Sequence, residues 1–236
     1  MFDLFSDPVK VAKQLDIIMN EFGFATWETL YSLLLEVVFA YAIGLPLGVL
    51  LVTGEREGIK PLPKPVMTVL NVVINLLRSV PFLILMIIAL PLSKIIVGTK
   101  VGTMATIPPM VIAAFPMVAR MVESSLREVD HGVIEAAQSM GASPWQIATK
   151  VMLPEALPSL ISGCTISVGT ILGFGAMAGI IGGGGLGKIA INYGYYNFKF
   201  LVMWAAVIGL ILLVQIFQTF GTWLGAKCDK RLRNRS

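Results

Sequence analysis

The sequence predicts an all-α integral membrane protein of five transmembrane helices, N-terminus outside and C-terminus inside, with a long polar loop between spans 3 and 4. Three observations carry that expectation. The 236 residues are 56% hydrophobic and 14% charged, with mean hydropathy +0.82, whereas soluble domains carry roughly 25% charged residues. Five apolar stretches, near residues 28–53, 66–92, 104–122, 158–181 and 200–224, each reach the length of about 18 residues that a spanning helix requires. The alternation expected of a transmembrane β-barrel is absent. Lys and Arg then set the orientation. Arg56, Lys60, Lys64, Arg120, Arg127, Lys150, Lys227, Lys230, Arg231, Arg233 and Arg235 fall on one side, against Lys10, Lys13, Lys94, Lys100, Lys188 and Lys199 on the other. The richer side is the inner one by the positive-inside rule.

The chain divides into an outer amphipathic segment, 1–25, a transmembrane domain, 26–228, that contains the polar loop 123–157, and a basic inner tail, 229–236. Residues 2–8 lack the basic and apolar regions of a signal peptide, so the first span is expected to act as its own insertion signal. Within 9–22, Val11, Leu15, Ile18 and Phe22 recur at helical spacing, predicting a helix on the outer surface. The first span carries Gly44 and Gly48 four residues apart, a spacing that permits close helix approach, with Pro46 permitting a bend. Residues 53–58 turn the chain at the inner surface.

The second span holds Arg78, a costly intramembrane cation and so a functional candidate. Glu36 in the first span is its expected counter-charge, and Arg78 is read as one half of a structural ion pair or a snorkelling arginine ahead of a direct contact to substrate. The fourth span is rich in glycine, with Gly173, Gly175 and Gly179 among small residues. Such a face packs backbones closely in lipid, which suggests a homodimer about a two-fold axis. Met177 in that patch is either packing filler or a plug of the passage.

The run from Gly182 to Ile189 approaches the phosphate-binding pattern GxxxxGK[ST], but Ile189 has no hydroxyl for magnesium. It is read as a flexible turn, and the chain is expected to bind no ATP. Cys164 and Cys228 build no disulfide framework, and the single His131 has no neighbouring ligands, so no cofactor or metal is expected. The net charge of +4 reports topology and gives no reason to expect nucleic acid binding. Nothing resembles a catalytic constellation.

The polar loop is the most informative segment. A helix over Ile134–Met140 ends at Gly141, suited to a left-handed cap. Ser143-Pro144-Trp145-Gln146 then reads as a capping box with Pro at the first helical position, and Leu153-Pro154 as the stop of that second helix. The result is a rigid elbow carrying small Ala136 and Ala137 and an exposed Trp145, fit to seat in a cleft of a soluble partner.

Glu135-Ala136-Ala137, then Gly141, then Val151-Met152-Leu153-Pro154 resembles the EAA loop of permease subunits of bacterial ABC importers, departing only in Val151 where isoleucine is usual. The likeness extends through Arg78–Phe82 and 182–195 and, within that family, is greatest to methionine-uptake permeases. The resemblance implies a second copy of the chain and two ATP-binding cassette subunits on the cytoplasmic side, which hold ATP and Mg. It also implies an extracytoplasmic substrate-binding protein and a bacterial inner-membrane location. The elbow then serves as the coupling helix that docks on the ATPase. The rival readings are a permease for another amino acid or small organic solute, and a stand-alone secondary transporter.

Overall fold

The first helix, α1, runs unbroken over Pro8–Thr53, 46 residues or about 69 Å of rise. It crosses the boundary expected at residue 25, so the outer segment continues the first span. Buried Ala25, Leu33, Ala40 and Leu51 recur every two to three turns along one stripe. The computed structural model describes residues 8–228. The expected basic tail, 229–236, lies outside them, as do the first seven residues.

The second span expected over 66–92 is made of two helices, α2 (Lys64–Ser79) and α3 (Phe82–Ile96). The two are bent by 110°. Pro81 is the cause: the residue before a proline is pushed out of the helical region, and Val80 accordingly lies at φ −76°, ψ 129°. α4 covers Thr103–Arg127, α5 His131–Ser139 and α6 Pro144–Gln146. A π-helical stretch, Ile147–Met152, leads into α7 (Leu153–Glu155) and α8 (Leu157–Ala178). A 3₁₀ turn, Gly179–Ile181, and α9 (Gly185–Ile189) follow, then a π-helical stretch, Ala190–Tyr196, and α10 (Phe200–Cys228). No strand occurs among the described residues. Among the described residues, four helices are long and apolar enough to cross a membrane, five if the bent pair is one span.

Two structural units emerge. The first takes 8–37, Pro81–Ile112 and Val168–Ile216. Its core is Ala25, Leu186, Ile189, Val202 and Ala206, with Ile17, Ile18 and Phe22 of α1 packed against it. The expected amphipathic face of 9–22 is thus partly spent on protein packing. Phe82 and Phe174 stack with centroids 4.1 Å apart. The second unit takes Val38–Val80, Ala113–Ser167 and 217–228, with a core of Leu51, Ile74 and Ala119. There the paired glycines act as expected. A Cβ at Gly44 would stand 2.7 Å from Val118 Cγ1, and one at Gly48 2.6 Å from the Ala119 carbonyl, so only glycine lets α1 approach α4 this closely.

Candidate functional site

The polar loop lies wholly within the second unit, and its order is local in origin. Asp130 caps α5 by accepting from Gly132 N–H at 2.6 Å, so the helix starts at His131, three residues before the expected Ile134. At the other end, Ala142 N–H donates to the Ala137 carbonyl (3.1 Å) and Gly141 N–H to Gln138 (2.9 Å). This is a Schellman cap, with Gly141 left-handed at φ +76°. The capping box forms as the sequence predicts: Ser143 N–H donates to Gln146 Oε1 (2.8 Å) and Gln146 N–H to Ser143 Oγ (3.4 Å).

Ala137, Ile147, Ala148 and Met152 are buried beneath the elbow. Ala137 therefore holds the two helices together and is not presented outward, contrary to expectation. Glu135, Ala136, Ser143 and Pro144 are exposed, Trp145 is 75% exposed and Met140 is 82% exposed. Leu153-Pro154 does not stop the chain. Proline lacks an N–H and clashes with the carbonyl four residues earlier; the π-helical stretch just before it widens the register, and helix continues through Pro154.

The candidates for the passage divide between the units. In the first unit, Cβ atoms at Gly173 and Gly175 would meet nothing within 4 Å, whereas one at Gly179 would lie 2.6 Å from the Gly187 backbone. Gly179 is thus used up in contact between α8 and the segment after it; Gly173 is exposed, and Gly175, two residues on and so on the other side of the helix, is not. Met177, one turn beyond Gly173, is half exposed. Glu36 is 3% exposed, beside a cavity of about 20 Å³ that Thr29, Ser32 and Gly175 help to line, room for a single water. Arg78 belongs to the second unit and occupies the last turn of α2, where a cation complements the helix dipole. Neither Glu36 nor Arg78 has an ion-pair partner among the described residues of its own unit.

Two polar clusters escaped the sequence reading. In the second unit, Arg120 donates to Glu123 (2.7 Å), Asn71 Oδ1 (2.8 Å) and Asn75 Oδ1 (3.0 Å). Arg127 pairs with Glu123 and with Glu55. The i, i+3, i+7 spacing of Arg120, Glu123 and Arg127 on α4, and the i, i+4 spacing of the asparagines on α2, were the available signal. In the first unit, the Glu28 carboxylate accepts from Thr103 Oγ1 (2.7 Å) and Gly185 N–H (2.9 Å), while Thr29 Oγ1 accepts from Leu186 N–H (2.9 Å). Tyr193 Oη donates to Glu21 at 2.6 Å, which pushes the phenol above its ordinary range.

A model of the family described as binding-protein-dependent transport system inner membrane component matches residues 44–233. The probable D-methionine transport system permease protein MetI of Vibrio cholerae is 48% identical over 207 residues, 88% of this chain and 92% of that protein. The methionine import system permease protein MetP of Bacillus subtilis is 45% identical over 168 residues, 71% and 76% of the two chains. A solved chain of the inward-facing MetNI methionine ABC transporter matches with TM-score 0.87 at 39% identity, over 90% of this chain and 98% of that one. A solved amino acid ABC transporter at 17% identity shares the fold, with TM-score 0.71 over 94% and 98%. Matched along most of its length and similar throughout to these permeases, the chain belongs to the family of binding-protein-dependent transport system inner membrane components.

Proposed function

We propose that this chain is the membrane-spanning permease subunit of an ATP-driven ABC importer for methionine, in the D or L form, working in the bacterial inner membrane. Two copies form the passage. Two ATP-binding subunits, which hold ATP and Mg, sit on the cytoplasmic side, and an extracytoplasmic binding protein delivers the cargo. The N-terminus lies outside and the C-terminus inside, an orientation supported by the Lys and Arg bias.

The observation that carries the mechanism is the elbow of α5 and α6. Its underside is buried, both ends are capped, and its crest exposes Met140 and Trp145. A rigid, apolar-tipped knob suits docking in a groove of the ATPase. ATP binding closes the two ATPase subunits and draws the two docked elbows together. The spans follow, and the passage opens outward to accept substrate; hydrolysis and release return it to the inward-open state. The chain makes and breaks no bonds, and its part is to convert a partner's closure into the movement of a gate. Methionine as the cargo is supported by the permeases it resembles.

The test is uptake of labelled methionine by cells lacking the chain, rescued by the wild type or by Gly141→Val. No atom lies within 4 Å of a Cβ at position 141, so the substitution acts only through the left-handed backbone, a cost of about 1–2 kcal/mol for an L side chain. Wild type is expected to restore uptake; the inserted and assembled variant is expected to lose most of it. Full rescue by Gly141→Val would remove the rigid-elbow mechanism. Failure of an inserted, ATPase-bound wild type to take up methionine would leave a permease for another solute.

A further inference from the structure

α2 presents three faces. Successive residues advance by about 100° around a helix, which groups Met67, Leu70, Ile74 and Leu77 on one side, the side that supplies the core contacts of the second unit. Val69, Val72, Val73 and Leu76 form a second face, apolar and exposed, as lipid requires. Between them lies a third face of Asn71, Asn75, Arg78 and Ser79, and this one is polar. Asn75, Arg78 and Ser79 are exposed.

A polar stripe on a membrane helix needs water or protein beside it, because hydrocarbon offers no hydrogen bonds. Arg120 of α4 reaches the inner part of this stripe through Asn71 and Asn75, and its buried Nε has no partner among the described residues. Farther along, Arg78 has no ion pair or hydrogen bond among the described residues. It stands about 21 Å of helical rise from the start of α2, in the last turn before the break at Pro81. Arg120 is already neutralised by Glu123 at 2.7 Å. Arg78 is therefore the free charge of the stripe.

Resting on the permease reading above, we infer that Asn71, Asn75, Arg78 and Ser79, joined by Arg120, form the wetted wall of the passage, and that the Arg78 guanidinium takes the carboxylate of a zwitterionic amino acid in transit. A guanidinium matches a carboxylate with two parallel hydrogen bonds. Asn71 is spent on Arg120 and the Met67 carbonyl, but the Asn75 amide nitrogen and the oxygen of the Ser79 hydroxyl, which donates to the Asn75 carbonyl at 2.8 Å, still offer neutral groups along the same line, so an amino acid moves from one polar contact to the next without being trapped. The lipid-side face of the same helix offers nothing to a charged solute.

The experiment uses the complete transporter, with ATPase and binding protein, in proteoliposomes. Cys164 and Cys228 are replaced by serine, and single cysteines are placed at Asn75 and Ser79 on the stripe and at Val72 and Leu76 on the apolar face. A charged, membrane-impermeant methanethiosulfonate is expected to modify the first two and spare the second two. Methionine is expected to slow modification at Ser79→Cys, and methioninol, which lacks the carboxylate, to leave it unchanged. Arg78→Gln is expected to lower methionine uptake by about tenfold or more, and Arg78→Lys to keep a larger share. Unreactive stripe cysteines, equal protection by the two compounds, or full uptake by Arg78→Gln would overturn the inference. A wild-type complex that accumulates no methionine would instead remove the cargo reading, and the contrast in reactivity between the two faces would still decide whether the stripe is wetted.

Discussion

At the scale of single residues, glycine does two different jobs here. Gly141 is needed for its backbone angle, whereas Gly184 is needed for its missing side chain. A Cβ at Gly184 would stand 1.8 Å from Thr103 Oγ1 and within 3 Å of both Glu28 carboxylate oxygens. The glycine run that resembles a phosphate loop is thus a site of close packing, where Glu28 and Thr29 accept from the N–H groups that open α9. Gly184→Ala is expected to destabilise the solubilised complex by about 1–3 kcal/mol, the usual cost of overpacking. Thr103→Ala in the same chain removes the nearest clashing atom and is expected to recover part of the loss. Thermal unfolding of the two single variants and the double variant checks this, and strictly additive losses would contradict the contact. Composition exposes the glycine run but not Glu28 or Thr103, whose distance along the chain hides the contact until the helices are packed.

At the scale of elements, what the sequence reveals depends on how local the interactions are. The elbow is legible because its Schellman cap and capping box each join residues no more than five apart. The break between α2 and α3 is legible in Pro81, yet hydropathy alone merges 66–92 into one span, because apolar residues predominate on both sides of the break even though α2 also carries Asn71, Asn75 and Arg78. The cluster that ties α4 to α2 and to the turn after α1 is half legible: its spacing on α4 is local, while Asn71, Asn75 and Glu55 are brought in by folding. Its members differ in burial, and that sets their energetic weight. Glu123 is buried, and its loss leaves Arg120 without a carboxylate. Glu123→Ala is expected to cost about 3 kcal/mol, the penalty of a buried charge left unpaired. Arg127 is half exposed, and Arg127→Ala is expected to cost under about 1 kcal/mol even though it makes two ion pairs. Melting temperatures of the two solubilised variants decide the matter, and equal losses would show that burial does not govern this cluster.

At the scale of the whole molecule, the open face of α8 bears on assembly. The sequence places Gly173, Gly175 and Gly179 together as a face for a second copy, and folding separates them. Gly179 is closed off by the Gly187 backbone and Gly175 turns to the cavity beside Glu36, while Gly173 keeps clear space with Met177 one turn beyond it. A small residue exposed on a membrane helix, such as Gly173, whose Cβ would meet nothing within 4 Å among the described residues, offers a surface on which two backbones approach closely. A two-fold axis there would set Gly173 opposite its own symmetry mate and bring the Met177 side chains together across the passage. Gly173→Cys, in a chain with Cys164→Ser and Cys228→Ser, is therefore expected to form a disulfide between two copies on mild oxidation, since facing residues at an axis fall within the roughly 4.4–6.8 Å that the bond allows between Cα atoms. Ile211→Cys, on an exposed apolar face of α10, is the control and is expected to stay monomeric under the same oxidation. The dimer band on a non-reducing gel, measured with the ATPase bound, is the readout. Cross-linking at Ile211→Cys and not at Gly173→Cys would move the axis to α10, and Met177 would then be packing filler rather than a plug.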